Sequence, residues 1–350
     1  MRARIRGLAG LAAGAALVVF ALFVVREPLL RSAIEWTTRR ALPDPAPLHD
    51  GALHVVFCGT GLPSRDPAGR SACSAVMAGG ELALVDIGGG AFQYLTSLRA
   101  PVRQLSTILI THLHSDHIGG IGDALTLSAF QGRERPVTIY GPPGIRRVVA
   151  GFVDAYAIDT QLRSDPDGGF VDPRHVVPSV EVVEIEGDAS RLLYAREGLE
   201  VRAFGVDHWP VEGALGYRFD FAGRSVVFSG DTRTDDRLAS HARAADVLVH
   251  SAMGLGWIAK HAVPYLDSLG ERRDARLLEE AQRIFSPPVE IAEIARRAGV
   301  AQLVFSHKPP VPWPGDFIYL WGVAEVFGGD VSIARDGMRI DLEGQAAPGR

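Results

Sequence analysis

Short hydrophobic runs recur along the chain between residues 53 and 306, and Gly, Pro or Asp borders most of them. Runs of this length with turn residues at their ends are typical of β-strands. On this pattern, strands are predicted over residues 53–57, 82–87, 107–111, 137–140, 180–185, 201–206, 215–221, 225–229, 247–250 and 302–306.

Two later segments repeat their apolar residues every three or four positions, which is the period of a helix. They cover residues 275–285 and 289–298. In the second segment Ile291, Ile294 and Ala298 share one face, and Gly299 follows at the position of a helix C-cap. Strands mixed with helices predict a layered α/β or α+β fold.

The N-terminus carries a different hydrophobic pattern. Three arginines, Arg2, Arg4 and Arg6, precede residues 7–25, which contain no charge. That length is close to the roughly 20 residues that a helix needs to cross a bilayer. The run lacks a clear small-residue cleavage site at its end, which favours an uncleaved anchor over a signal peptide. We therefore expect one N-terminal transmembrane helix, and a buried core helix is the weaker alternative.

This anchor sets the expected organisation of the chain. It would cover residues 1–27, followed by a juxtamembrane segment and Pro-rich linker over 28–50 and one folded domain over 51–345. Arginines flank the apolar run on both sides, so charge does not decide its orientation. The short tail before a long domain favours translocation of the domain. We expect a single-pass protein of the cell membrane with its catalytic domain on the extracytoplasmic (periplasmic) side.

Composition narrows the classes of function. Hydrophobic residues make up 47% and charged residues 22% of the chain, which is ordinary for a globular protein. The net charge of -5 gives no electrostatic footprint for nucleic acid. The two cysteines, Cys58 and Cys73, are too few for a disulfide scaffold or a Cys-based zinc site. Whether they pair or lie as two small buried residues stays open.

The strongest chemical signal is a cluster of side chains that can bind metal. His112, His114, Asp116 and His117 bring three imidazoles and a carboxylate within six residues. These donors suit zinc, and also iron or manganese, whereas the missing thiolate argues against a structural zinc site. In an extended segment His112 and His114 would share one face, and Asp116 and His117 would face a second position. A His-rich loop that binds no metal is the weaker alternative.

Three further residues become candidate metal ligands because that cluster is present. His208, Asp231 and His307 each follow the end of a predicted strand, as the cluster itself does. Taken alone, each would more readily be structural, and Asp231 would suit an Asx turn. A two-metal site, however, needs a bridging carboxylate and one more His for each metal. We therefore predict that the strand ends converge on a binuclear metal site.

The motifs and their order resemble the metallo-β-lactamase superfamily from residue 53 to about residue 312. FCGTGLPSRDP is similar to the opening strand and turn, LVDIGGG to the second motif, and THLHSDHIGG to the signature. The resemblance implies an α+β fold, a four-layer αββα sandwich, that binds two zinc ions. It implies one metal on His112, His114 and His208, the other on Asp116, His117 and His307, Asp231 as the bridge, and Asp86 as the residue that orients the first ligand His.

Within the superfamily the chain most resembles the ribonuclease Z and arylsulfatase-like phosphodiesterase branch. GYRFDFAGRSVVFSGDT is similar to the strand pair before the bridging Asp, and DVLVHSAMG to the motif whose His protonates the leaving group. The resemblance therefore implies Asp116 and His250 as catalytic residues. Ser251 stands where the branch has Glu, which leaves His250 without its usual carboxylate partner.

These observations predict a binuclear hydrolase in which a metal-bridging hydroxide attacks an ester-type substrate, first of all a phosphodiester or an aryl sulfate. The rivals are a ribonuclease Z-like endonuclease for tRNA 3' processing, a thioester or lactone hydrolase, and a metal-stabilised binding module without catalysis. Residues 154–200 are acidic and contain no lysine, so we expect a small-molecule ester and not nucleic acid as the partner. A homodimer is left open.

Overall fold

The computed structural model describes residues 26–40, 42–62, 69–164, 169–252, 256–308, 315 and 317–345. The chain divides into two compact units, Met1–Pro43 and Asp44–Arg350. In the first unit the described residues 26–40 form a helix, α1. The elements described below all belong to the second unit.

The first sheet has seven strands in the order β14-β1-β2-β3-β4-β5-β6. The strands β14, β1, β2 and β3 pair antiparallel, and β3 to β6 pair parallel. Every residue of β1 and β2 is buried, as expected of strands that are covered on both faces. The bounds are β1 Leu53–Gly59, β2 Cys73–Ala78, β3 Glu81–Val85, β4 Leu105–Leu109, β5 Thr138–Gly141, β6 Ser179–Val182 and β14 Arg339–Leu342.

The second sheet also has seven strands, in the order β13-β12-β11-β10-β9-β8-β7. Its strands β7 to β10 pair antiparallel, and β10 to β13 pair parallel. The bounds are β7 Ser190–Arg196, β8 Leu199–Gly205, β9 Leu215–Phe221, β10 Arg224–Phe228, β11 Val247–Ser251, β12 Gln302–Ser306 and β13 Asp330–Ile333.

Helices cover the outer face of each sheet. Phe92 and Leu125 pack with Ile108 on the outside of the first sheet, and Ile291 packs with Leu248 on the outside of the second. The described helices are α2 Ala91–Ser97, α3 Ser115–Ile118, α4 Ile121–Phe130, α5 Ile145–Ala155, α6 Ala157–Arg163, α7 Pro173–Val176, α8 Asp236–His241, α9 Gly256–Ser268, α10 Arg272–Ile284, α11 Pro288–Ala298, α12 Phe317–Leu320 and α13 Val323–Val326.

The main core lies between the two sheets. Phe57 and Val76 of the first sheet share one cluster of fully buried side chains with Val201, Tyr217 and Phe219 of the second. Alternate residues of each strand point into this layer, because successive side chains of a strand face opposite sides of the sheet. The order of layers is therefore helix, sheet, sheet, helix, and the predicted four-layer αββα sandwich of the α+β class is confirmed.

The hydrophobic pattern finds the central strands and misses strands that lack a run of large apolar residues. Each predicted strand is present, with ends shifted by a few residues. The pattern misses β7, which is mostly exposed, and the short strands β13 and β14 at sheet edges, which carry charges. It also misses β2, whose sequence CSAVMA is built mainly from small residues. Gly299 caps α11 with a φ of 70°, as predicted.

No helix of the described residues is long and apolar enough to cross a membrane. This finding corrects the prediction of an N-terminal transmembrane helix over residues 1–27, which no described helix supports. The apolar run that suggested it, residues 7–25, lies outside the described residues. The predicted single-pass membrane location, with an extracytoplasmic catalytic domain, is corrected with it, because that prediction depended on the anchor.

Cys58 and Cys73 form a disulfide bond that links β1 to β2, with their Cα atoms 5.0 Å apart. Both residues are buried in the core of the first sheet. The question that the sequence leaves open is therefore answered in favour of pairing. The bond closes a 15-residue separation that includes Gly61, which contacts the site described next.

Candidate metal centre

The candidate site is built from residues that follow the ends of strands in both sheets. Parallel strands that lie side by side end at the same edge of a sheet, so side chains placed after them converge. The structure brings all seven predicted metal ligands together in overlapping groups, whose donor atoms lie within 4.8 Å of one another in each group. The strands that position them are β4 for His112, His114, Asp116 and His117, β8 for His208, β10 for Asp231 and β12 for His307.

His112, His114 and His208 form one group, which we call the outer group. Nε2 of His112 lies 2.8 Å from Nδ1 of His114, and the rings of His112 and His208 meet edge to face at 4.6 Å between centroids. His114 is exposed, whereas the other two are buried. Burial lowers the pKa of His112 and of His208, because a buried imidazolium is poorly solvated. These rings are therefore neutral, which is the form that binds metal.

Asp116, His117 and His307 form the inner group, and all three are buried. Nε2 of His307 lies 3.3 Å from Nε2 of His117 and 3.4 Å from Oδ2 of Asp116. Burial alone would lower the pKa of His117, but the carboxylates of Asp86 and Asp231 raise it well above its usual value. Buried negative charge therefore favours a positive charge at this position, whether a proton or a metal cation supplies it.

Asp231 lies between the two groups. Its Oδ2 is 3.3 Å from Nε2 of His307 and 3.6 Å from Nε2 of His117, and it also forms a group with His112 and His117. Burial would raise the pKa of Asp231, but His307 and His117 hold it well below its usual range. A buried, ionised carboxylate that contacts the inner group and lies within 4.8 Å of His112 of the outer group is placed where a ligand shared by two metals would lie.

Asp86 contacts the inner group from behind. Nδ1 of His117 donates to Oδ2 of Asp86 at 2.8 Å, and the backbone N and Oγ1 of Thr111 donate to the same carboxylate. This differs from the role that the resemblance implies, in which Asp86 orients the first His of the signature. Asp86 reaches His112 only through Thr111, whose Oγ1 lies 3.1 Å from Nδ1 of His112.

Two contacts of the site were not predicted from the sequence. One is the hydroxyl of Thr111, which links Asp86 to His112. The other is the carbonyl of Gly61, which accepts a hydrogen bond from Nδ1 of His307 at 3.0 Å. The Thr that begins THLHSDH was a signal for the first contact. No sequence signal identifies the second, because a backbone carbonyl is present at every residue.

His250 lies in β11 and is fully buried, and it lines a small cavity of about 50 Å³ together with Asp231 and His307. Its Nδ1 donates to the carbonyl of Ser251 at 2.7 Å, while Nε2 has no hydrogen-bond partner among the described residues. Burial lowers the pKa of His250 to about 4. The neutral ring therefore carries its proton on Nδ1 and can accept, but not donate, at Nε2.

The donors present fit a pair of divalent metal ions. Both ring nitrogens of the buried His208 lack a hydrogen-bond partner among the described residues. A buried polar group without a partner costs free energy, and the grouped donors beside His208 are the types that zinc prefers. In the inner group, Nδ1 of His117 and of His307 is held by a protein acceptor, which leaves each Nε2 directed at the site. This arrangement is typical of metal-ligating imidazoles.

The layered fold and this cluster together define a metal-dependent hydrolase. A family model described as "Beta-lactamase superfamily domain" matches residues 83–308. The chain is 32% identical over 294 residues to Ribonuclease Z of Mycobacterium bovis (strain BCG / Pasteur 1173P2). This alignment covers 83% of this chain and 98% of that protein. The chain therefore belongs to the metallo-β-lactamase superfamily, in the branch that contains its ribonuclease Z relatives, and is a hydrolase of ester bonds.

Solved structures support the same fold. Human tRNase Z, short form, aligns with a TM-score of 0.58 and 21% identity over 83% of this chain and 99% of that chain. Zn²⁺-bound PqqB from Methylobacterium extorquens aligns with a TM-score of 0.54 and 16% identity over 83% of this chain and 100% of that chain. At these identities the likeness shows the fold alone, and the fold implies that the chain binds divalent metal.

Proposed function

We propose that the chain is a two-metal, zinc-dependent phosphodiesterase. RNA is the leading candidate for its natural substrate. The observation that carries this proposal is the position of Asp231, a buried carboxylate that contacts His307 of the inner group and lies within 4.8 Å of His112 of the outer group. Two-metal hydrolases hold their metals roughly 3.5–4 Å apart and clamp the attacking and leaving oxygens of the substrate between them. The outer and inner groups around Asp231 would each hold one of these metals.

The relatives support a phosphodiester over an aryl sulfate. Ribonuclease Z of M. bovis is aligned over 98% of its length, and its name denotes cleavage of RNA. The expectation that nucleic acid is not a partner depended on the acidic composition of residues 154–200, and these relatives speak against it. Precursor tRNA is therefore a stronger candidate substrate than a small-molecule ester. A ribonuclease Z-like endonuclease is the leading hypothesis.

When bound, the metals would supply Lewis acidity toward the phosphoryl oxygens and a water of lowered pKa. The chain orients their ligands: Asp86 fixes the ring of His117 through Nδ1, and the carbonyl of Gly61 fixes His307 in the same way. His250 lines the same cavity as Asp231. Because its Nδ1 is bonded to the Ser251 carbonyl, His250 takes up a proton at Nε2 before it can deliver one to a leaving oxygen.

The test is hydrolysis of bis-p-nitrophenyl phosphate and cleavage of a precursor tRNA with a 3' trailer, measured on zinc-loaded protein. We expect both activities in the wild type and the loss of both in His114→Ala, together with a fall in zinc content. His49→Ala is the control, since His49 is also an exposed histidine but lies outside the metal groups. If His114→Ala keeps its zinc and both activities, the proposed site is wrong.

The same substrate panel separates the rival esters. Faster turnover of an aryl sulfate, a thioester or a lactone than of either phosphodiester would replace the proposed substrate while keeping the metal site. Zinc binding with no turnover of any ester would favour the metal-stabilised binding module.

A further inference from the structure

An open groove runs beside the outer group, with a volume of about 580 Å³. One face of helix α5 forms most of its lining, through Arg147, Val148, Gly151, Phe152 and Ala155. Residues 147, 151 and 155 are four positions apart, as are 148 and 152, so the two rows lie side by side and form one continuous stripe on the helix. The other wall is Leu113.

Leu113 ties this groove to the metal centre. It stands between His112 and His114 in the chain, and both are members of the outer group. The start of α5 approaches it closely, because a Cβ built on Gly144 would lie 2.9 Å from Cδ1 of Leu113. The backbone of Leu113 therefore separates the groove from the outer group, and a molecule with its ester group at the outer group would reach the groove across this residue.

The groove is suited to an apolar group of moderate size. Apart from Arg147, the side chains that line it are apolar, and its volume falls within the range of about 300–1,000 Å³ that is typical of small-molecule sites. Small residues keep it open: a Cβ added at Gly151 would meet no atom within 4 Å. Ala155 is exposed at its far end.

Arg147 gives the groove its only charge. It is exposed and has no ion-pair partner among the described residues, and the groove has no acidic residue in its lining. Its neighbour Arg146 is exposed as well but does not line the groove. A single cation beside an apolar surface complements a ligand that has an anionic head and an apolar substituent.

We propose that this groove binds an apolar alkyl or aryl substituent of the scissile ester, with Arg147 engaging the anionic part of the same molecule. A small anionic phosphoester with one extended apolar substituent is thus a further substrate class for this centre, in addition to RNA. The inference rests on the proposed phosphodiesterase function, since it takes the ester group to lie at the outer group. It adds Leu113, Arg147 and Phe152 as specificity-determining residues.

The experiment measures binding, which does not require turnover. Methyl-, butyl- and octylphosphonate are titrated into zinc-loaded protein by calorimetry. We expect the Kd to tighten between about twofold and about fourfold for each CH₂ that enters the groove, the upper value being that of full burial. In Ala155→Leu, which narrows the far end of the groove, the gain in affinity from butyl- to octylphosphonate should shrink. In the matched control Ala150→Leu, an exposed alanine of α5 outside the groove, it should remain.

A second pair of variants tests the charge. Arg147→Gln should weaken the binding of all three phosphonates by a similar factor, and Arg146→Gln should weaken it less. Equal affinity of the three phosphonates in the wild type, or equal effects of the two alanine variants, would overturn the proposal. So would a loss of precursor-tRNA cleavage in Ala155→Leu without any dependence on chain length, since the groove would then serve a nucleotide.

The two proposals fail in different ways. If the wild type hydrolyses no phosphodiester but still shows the dependence on chain length, the phosphodiesterase proposal falls, and the groove is a binding site for the apolar part of an anionic ligand that is not a scissile phosphoester. If it hydrolyses bis-p-nitrophenyl phosphate and binds all three phosphonates equally, the groove proposal alone is overturned.

Discussion

The outer group and the inner group offer metal similar donors, but the protein holds them differently. In the inner group, Nδ1 of His117 is bonded to Asp86 and Nδ1 of His307 to the carbonyl of Gly61. In the outer group, His208 has no hydrogen-bond partner among the described residues, and His114 is exposed. Both inner histidines are therefore oriented by a protein acceptor, whereas in the outer group only His112 has such a partner, the hydroxyl of Thr111.

The two groups should therefore bind metal with different affinities. Hydrogen bonds that fix the ring of a ligand raise its affinity for metal, so the inner group should bind the first and tighter ion. His114 of the outer group is exposed to solvent, so the ion of this group should be the weaker one and the nearer to the substrate.

The largest effect is expected from Asp231, which both groups share. Asp231→Asn removes a buried negative charge between two cations, so both metal sites should weaken together. Activity should fall by at least about a thousandfold, the scale seen when a member of a catalytic unit is removed. Zinc content and turnover of bis-p-nitrophenyl phosphate measure the two effects. Asp220→Asn is the control, because Asp220 pairs with Arg218 outside the metal groups; retention of both zinc ions in Asp231→Asn would argue against a shared ligand.

The next effect should be confined to one group. His208→Ala removes an outer ligand, so a zinc titration should show one weakened binding step and one unchanged step. The weakened step should lose more than the roughly 10- to 100-fold that the loss of an orienting partner costs. His241→Ala is the control, since His241 stacks on Phe204 outside the metal groups. Equal weakening of both steps would show that the groups do not act separately.

A smaller effect is expected from Asp86, which orients His117. Asp86→Asn preserves the side-chain shape, and Asn tolerates the left-handed backbone at this position, where φ is 57°. Loss of the carboxylate charge should weaken the inner site by about 10- to 100-fold and leave the outer site unchanged. Competition with a zinc chelator measures both steps. Asp123→Asn, at a carboxylate bonded to Tyr156, serves as the control, and a weakened outer site instead would reverse the assignment.

The smallest effect on metal binding should come from the disulfide. The Cys58–Cys73 bond closes the segment that carries Gly61, so it supports the inner group only indirectly. Replacing both cysteines by serine should lower the free energy of unfolding by about 3 kcal/mol, the loop-entropy value for a segment of this length. It should change zinc affinity only a few-fold. Urea unfolding of the metal-free protein, with and without reductant, gives the first value, and a stability that does not respond to reductant would contradict it.

Much of the site could be predicted because its ligands lie close together in sequence or at strand ends. His112, His114, Asp116 and His117 are nearly contiguous, and the hydrophobic pattern placed the strands before His208 and His307. The hydrogen bond between Asp86 and His117 was not predictable in this way. The carboxylate of Asp86 points to His117 instead of His112 because its bond to Thr111 and the left-handed backbone of Asp86 set its direction. Both are features of the folded chain.

The prediction of an N-terminal anchor had no such support. A stretch of apolar residues predicts a membrane-spanning helix from hydropathy alone, and no contact elsewhere in the chain checks that prediction. The acidic composition of residues 154–200 is a similar case, because net charge says little about where cations lie on the folded surface. Arg146 and Arg147 precede that segment in the chain and belong to the helix beside the site, and only the fold brings them there.

Anomalous scattering from a crystal of the zinc-loaded protein would locate the metals most directly. We expect two zinc positions for each chain, one among His112, His114 and His208 and one among Asp116, His117 and His307, with Asp231 touching both. A single zinc ion, or two ions without Asp231 between them, would contradict this expectation.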